Sequence, residues 1–289
     1  MTQAVTKNRK TANPASNIEI LVADSRKALC KYADASFQTC VTSPPYWSLR
    51  DYSIDGQIGA EESLEEYISD LVEIFREVRR TLNDDGTLWL NIGDAYTSGN
   101  RTWRDDDKKN AGRAMSFRPP TPPGLKPKDL IGIPWLLAFA MQRDGWYLRS
   151  DIVWHKPNCQ PESVKDRPTR CHEYIFLFSK SLKYLYDHEA VQESRTDKNG
   201  VRNRRTVWSI NTNGFKGSHF AVFPTELVEL CIRAGSTEGS IVLDPFLGTG
   251  TVAEVCVQLG RGCVGIELNP EYAEMAEKRI DNVNKLLFT

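Results

Sequence analysis

Apolar residues along this chain follow two rhythms, short unbroken runs and longer stretches at helical spacing. Ile18–Val22 and Phe37–Thr42 are runs of the first kind, and each leads into a polar side chain, Asp24 and Ser43. Both read as buried strands. Ser63-Leu64-Glu65-Glu66 then forms a capping box, in which serine and glutamate satisfy free backbone donors at a helix start. Leu64, Tyr67, Leu71, Phe75, Val78 and Leu82 follow at helical spacing and predict a core-facing stripe. Asn83-Asp84-Asp85-Gly86 predicts a turn, and residues 87–92 another buried strand. A proline in the first turn at Ile133-Pro134-Trp135 predicts a helix to Arg143. Further strands are expected at 151–154 and 173–178, and a helix from Pro224 through Ile232 closed by Gly235.

The last quarter carries the clearest pattern. Ile241-Val242-Leu243 is an apolar strand running into Asp244-Pro245-Phe246-Leu247-Gly248-Thr249-Gly250-Thr251. A helix to about Leu259 comes next, then a strand at 263–266 ending on Glu267, and an amphipathic helix from Glu271 onward. Strands alternating with helices imply an α/β fold, a doubly wound and mostly parallel sheet. Residues 1–17 read as a flexible polar leader and 18–289 as a single domain. Within that domain, 97–128 and 187–217 lose all periodicity and turn basic, a sign of functional insertions.

Composition narrows the class only modestly. With 40% hydrophobic and 26% charged residues the chain is an ordinary globular protein, and no apolar run approaches a membrane span. Seven scattered cysteines, an odd number, point to reduced thiols and a cytoplasmic setting. The net charge of -1 hides local excess: Arg101, Arg104, Lys108, Lys109, Arg113, Arg118, Lys126 and Lys128 crowd the first insertion, and Arg195, Lys198, Arg202, Arg204, Arg205 and Lys216 the second. Such clusters fit phosphate binding as well as ordinary solvated loops. The spacing of His155, Cys159, Cys171 and His172 matches no zinc motif, so no metal is expected.

Two constellations carry chemistry. The glycine loop after Asp244 lets backbone approach a ligand, and the helix behind it offers unpaired N–H groups. Glu267, at the next strand end, is placed to accept both hydroxyls of a ribose, so the site is that of a nucleoside. Gly248-Thr249-Gly250-Thr251-Val252-Ala253 also satisfies a dinucleotide fingerprint, which keeps a nicotinamide cofactor in play. Asp244, however, would repel a pyrophosphate and attract the cationic methionine part of S-adenosylmethionine. The second constellation is Thr42-Ser43-Pro44-Pro45-Tyr46-Trp47. Two prolines stiffen a loop rich in carbonyl acceptors, Ser43 adds a hydroxyl acceptor and Tyr46 a flat ring. Acceptors gripping an exocyclic amine can turn its delocalised lone pair toward a methyl donor. Among the tryptophans, Trp47 alone is a candidate for base stacking because it adjoins this loop; the others read as core or interface.

Asp-Pro-Phe-x-Gly-Thr-Gly-Thr together with Thr-Ser-Pro-Pro-Tyr resembles the amino-methyltransferases of DNA, in the β arrangement where the catalytic loop precedes the donor loop. Asn91-Ile92-Gly93-Asp94 and Trp154-His155-Lys156-Pro157-Asn158 belong to the same likeness, which spans nearly everything from residue 18 to 287. The resemblance implies a methyltransferase-type sheet of circularly permuted order, with S-adenosylmethionine as methyl donor and double-stranded DNA as partner. It assigns Asp244, Pro245, Phe246, Gly248, Thr249 and Gly250 to the donor, Glu267 to its ribose and Asp24 to its adenine. Phe220 and Pro224 would pack under the donor, and Ser43, Pro44, Pro45 and Tyr46 would hold a flipped base. Serine at the head of the tetrapeptide points to cytosine N4, with adenine N6 the alternative. C5-cytosine chemistry needs a cysteine, typically after proline, and no cysteine here follows one. RNA or protein-amide methylation is disfavoured because those relatives usually carry asparagine first and the opposite motif order. The insertions are short for a separate recognition domain, which implies a short target or a homodimer.

Overall fold

The computed structural model describes residues 17–49, 54–97, 119–197, 199–212 and 223–288. The elements are β1 (Ile18–Val22), α1 (Ser25–Leu29), β2 (Phe37–Thr42), α2 (Leu64–Thr81), β3 (Leu82–Ile92), α3 (Ile133–Arg143), β4 (Tyr147–His155) and β5 (His172–Ser179). They continue with β6 (Glu193–Ser194), β7 (Val201–Arg202), β8 (Val207–Ser209), α4 (Thr225–Gly235), β9 (Ile241–Asp244), α5 (Thr251–Gln258), β10 (Gly262–Glu267) and α6 (Pro270–Phe288).

Eight strands form one sheet in the order β1-β10-β9-β2-β3-β5-β4-β8. From β1 through β3 every pairing is parallel, as the alternation of strand and helix predicts. β2, β9 and β10 are mostly buried, which is why they read as largely apolar runs, while β1 at the sheet edge is only half-buried. Neighbouring residues serve opposite sides: Cys40, Leu88, Leu90, Phe176 and Leu243 join the core under α1, α2 and α3, with Tyr67, Leu71, Phe75, Leu137 and Met141. Val41, Trp89, Ile175 and Val242 join the core under α4, α5 and α6, with Leu227, Cys231, Val252, Cys256 and Ile280.

Three features depart from the expected pattern. β5 runs antiparallel between β3 and β4, because the 156–171 connection returns directly along one edge of the sheet without a crossover helix. β3 begins at Leu82 instead of 87, yet the turn chemistry still acts: pairing jumps from Phe37–Leu82 to Thr39–Thr87, so the exposed Asp84 and Asp85 loop out. The helix α1 carries too few residues to display a periodicity. The capping box of α2 forms as predicted, Glu66 N meeting Ser63 Oγ at 3.1 Å and Ser63 N meeting Glu66 Oε2 at 3.1 Å.

The sheet order reverses between β9 and β2. From β9 the chain leaves to α5 on one face, and from β2 it leaves toward α2 on the other, opening a crevice at their carboxyl ends. Parallel strands bring Asp244, Glu267, Thr42 and Asn91 to this edge, and antiparallel β5 starts there with His172 and Glu173.

Candidate active site

Asp244 ends β9 at the crevice, and the residue is 3% exposed. Its Oδ1 accepts from Thr42 Oγ1 at 2.6 Å and from the Phe246 amide at 3.0 Å. The first bond crosses the switch point and ties the base of the Ser43 loop to the glycine loop, 202 residues apart. Burial pushes the Asp244 carboxyl up to about 7, against these two bonds and with help from the Glu267 charge. Burial likewise raises Glu267, whose Oε2 accepts from Gly248 N at 2.8 Å and whose Oε1 accepts from Asn269 N at 2.8 Å. Two desolvated carboxylates beside a glycine turn make a site that a cationic, hydroxyl-bearing ligand would relieve.

Pro245 is buried in the turn, Thr249 is half-buried, and Gly250 caps α5 in the left-handed region at φ +85°. The Phe246 ring sits edge-on to Phe75 at 6.4 Å between centroids. Asp24 joins the same edge as the N-cap of α1, its Oδ1 accepting from Arg26 N at 3.0 Å and pairing with Arg26 Nε at 3.2 Å. The next residue, Ser25, donates through Oγ to the Pro245 carbonyl and so docks α1 on the glycine loop. Pro224 is buried at the N-cap of α4. Phe220 lies outside the described residues.

The Ser43-Pro44-Pro45-Tyr46 loop is held from three sides. Ser43 Oγ donates to Asn91 Oδ1 at 3.2 Å. The Pro45 carbonyl accepts from Tyr67 Oη of α2 at 2.9 Å, so one of the loop's acceptors is already used. Tyr46 Oη reaches Glu173 Oε2 at 2.9 Å and Asn91 Oδ1 at 3.3 Å. Burial, then the Glu173 charge, drives the Tyr46 phenol well above its ordinary range, so it remains a hydroxyl. Gly93 lets the ring in: a Cβ there would lie 2.7 Å from Tyr46 Cε2. Trp47 is not available for stacking. It is 4% exposed, with Nε1 donating to the Glu61 carbonyl at 3.1 Å, because the chain turns its ring into the core under α2.

Several residues in this arrangement carry no role in the sequence reading. Glu173 is legible there only as a charge opening an apolar strand, and Lys156 only as part of a motif; they form an ion pair beneath Tyr46. Asn91 and Thr42 are quoted there within motifs but given no role of their own. Asp94 is an end cap, accepting from Gly132 N and Ile133 N at the start of α3.

The basic insertions are only partly in view. Residues 98–118 lie outside the described residues, as do Lys198 and Lys216. In the β6–β7 hairpin Arg202 and Arg205 both pair with Glu193, and Arg195 pairs with Asp197, so much of that charge is balanced locally. Among the described residues no three His, Cys, Asp or Glu side chains converge as a metal set, and no helix is long and apolar enough to cross a membrane.

Comparison with known proteins identifies the family and the fold. The family model described as DNA methylase, for N6 and N4 methyltransferases, matches residues 37–278. Type II methyltransferase M.SmaI of Serratia marcescens is 65% identical over 263 residues, 91% of this chain and 90% of that protein. A putative DNA modification methylase of Thermus thermophilus, solved with S-adenosyl-L-methionine, superposes with a TM-score of 0.64 at 27% identity, covering 92% of this chain and 94% of the other. PvuII DNA methyltransferase, cytosine-N4-specific, shares the fold with a TM-score of 0.68 at 21% identity, over 94% and 93% of the two chains. The fold is thus shared with these proteins, and the chain belongs to the N6/N4 DNA methylase family.

Proposed function

We propose that the chain transfers a methyl group from S-adenosylmethionine to the N4 amine of a cytosine flipped out of double-stranded DNA. The observation that carries this reading is the Thr42–Asp244 bond, which sets the Ser43 loop directly against the glycine loop. S-adenosylmethionine supplies an electrophilic methyl group on a sulfonium, with a thioether as leaving group. Asp244, Phe246, Gly248 and Gly250 would hold its methionine and adenosine parts, Glu267 its ribose and Asp24 its adenine. The two desolvated carboxylates fit that assignment, since a cation and a pair of hydroxyls satisfy them.

The loop's task is the amine. With the Pro45 carbonyl occupied by Tyr67, the Ser43 oxygen and the Pro44 carbonyl are the acceptors left to grip its two hydrogens. Gripping them withdraws the nitrogen lone pair from the ring and aims it at the methyl group, while the Tyr46 ring supports the base. Once methylated, the amine nitrogen would carry the positive charge given up by the sulfonium, and its extra proton would pass to solvent water. Extrusion from the helix costs a few kcal/mol of stacking and pairing, and phosphate contacts from the segments at 97–128 and 187–217 would offset it. Ser43 supports cytosine because a serine at the head of the tetrapeptide resembles the N4-cytosine enzymes; its hydroxyl proton is directed to Asn91, which leaves its lone pairs for the amine of either base.

Purified protein incubated with labelled donor and double-stranded DNA, followed by nuclease digestion and mass spectrometry, tests both halves. N4-methylcytosine is expected. N6-methyladenine would overturn the base, and transfer to RNA or protein in preference to DNA would overturn the substrate.

A further inference from the structure

Beneath the catalytic loop lies a polar cluster whose parts come from three strands: Asn91 of β3, Glu173 of β5 and Lys156 just past β4. Lys156 pairs with Glu173 Oε1, the two side chains being only 16% and 17% exposed. The ammonium also sits 4.2 Å from the centroid of the Trp154 ring, which limits its freedom to leave. Desolvating an ion pair is costly, and such pairs do little for net stability. Its geometry gives it a different use.

Consider where each proton must go. Asn91 Nδ2 points at Glu173 Oε2 at 3.3 Å and at the Tyr174 carbonyl at 3.1 Å. Both are acceptors, so the amide cannot be reversed without facing oxygen to oxygen. Asn91 Oδ1 is therefore turned toward Ser43 and Tyr46. Tyr46 has one proton, and the carboxylate at 2.9 Å claims it over the amide oxygen at 3.3 Å, a charge-assisted bond being the stronger. That leaves Asn91 Oδ1 at 3.2 Å, with the Tyr46 oxygen beside it, to take the Ser43 proton. Ser43 consequently shows lone pairs, not a hydrogen, to the base.

We propose that the Glu173–Lys156 pair is a positioning device that sets the proton direction of Ser43 through Asn91 and anchors Tyr46. The carboxylate fixes both groups at once, and the lysine holds the carboxylate in place by countercharge. This rests on the reading of Ser43-Pro44-Pro45-Tyr46 as the catalytic loop. Neither Glu173 nor Lys156 needs to touch the substrate.

Glu173→Gln is the test, because it keeps the size but offers an amide in place of a carboxylate. Turnover should fall about a hundredfold, as expected when reacting groups are misaligned, while donor affinity stays within about twofold. Lys156→Met should behave likewise, and Lys156→Arg should recover most of the rate. A readout free of activity is 19F NMR of protein labelled with 3-fluorotyrosine, the Tyr46 signal being identified by its loss in Tyr46→Phe. That signal should shift in Glu173→Gln. Parental turnover in Glu173→Gln, or an unmoved Tyr46 signal, would overturn the proposal. A shared fall in melting temperature and donor affinity would also overturn it, since that is the mark of a purely structural pair. Tyr46→Ala separates the two readings. If it too keeps full turnover, the loop assignment fails; if it loses turnover while Glu173→Gln does not, only the positioning role fails.

Discussion

If Asp244 holds the donor as proposed, its burial makes donor binding depend on pH. Its carboxyl is raised to about 7, whereas a cationic ligand favours the ionised form. Donor binding should therefore release a proton, and affinity should weaken as the pH falls through about 7. Calorimetry in two buffers of different ionisation heat measures that proton count. Asp244→Asn should bind the donor about 1.5–3 kcal/mol more weakly, the range of a lost charged hydrogen bond, and without the pH dependence between about pH 6 and 8. The same shift has the opposite sign for the fold. Since the folded carboxyl titrates above its ordinary 3.8, the ligand-free protein loses stability as the pH rises from 3.8 to about 7, and bound donor restores it. A melting temperature that is flat across that window with and without donor would contradict the assignment.

Among the elements, α5 is pinned at its start by close contact with α6. Its N-cap Gly250 takes a left-handed φ of +85°, and a Cβ there would lie 2.7 Å from Ala276 Cβ and 2.9 Å from its Cα in α6. Gly250→Ala must strain the turn and push α6 outward, at a cost of about 1–3 kcal/mol, and should weaken donor binding as well. Ser63→Ala removes the capping box of α2, far from the glycine loop in the chain. It should cost about 1 kcal/mol of stability with turnover unchanged. Thermal melts of the two variants alongside donor titrations check this contrast. The outcome that fails is equal loss of donor affinity in both.

The whole molecule places a single ligand edge across a chain whose order is permuted. Asp24 comes from the first helix-capping turn, whereas Asp244 and Glu267 come from the last quarter, and β1 beside β10 brings them together. The helix α6 leaves that edge after Glu267 and, with 19 residues, runs about 28 Å back toward the opposite edge, where β1 begins. Residues 1–17, extended, can reach about 55 Å. Joining residue 289 to residue 1 and opening the chain between Thr212 and Phe223 should therefore leave every strand pairing intact. We expect that permutant to fold; circular dichroism decides, and calorimetry measures what a break beside Phe220 costs in donor affinity. Failure to fold would show that β9 depends on its covalent link to β8, and not only on its pairing with β2 and β10.

Most of the architecture was written into local pattern. Largely apolar runs mark β2, β9 and β10 because strands covered on both faces have little polar side to show, and the half-buried run of β1 marks the sheet edge. The capping box, the proline of α3 and the acidic strand ends were equally local, and so were legible. Tertiary structure alone decided which distant side chains meet. Periodicity reports the face a residue occupies and says nothing about its neighbour, so Glu173 and Lys156 beneath Tyr46 were invisible, as was Thr42 on Asp244. The direction of β5 followed from a connection that carries no helix, and the burial of Trp47 from a turn that only α2 makes possible. By itself the sequence determined the two loops and the chemistry they offer. Folding decided how their protons and charges are arranged, because that depends on contacts between strands far apart in the chain.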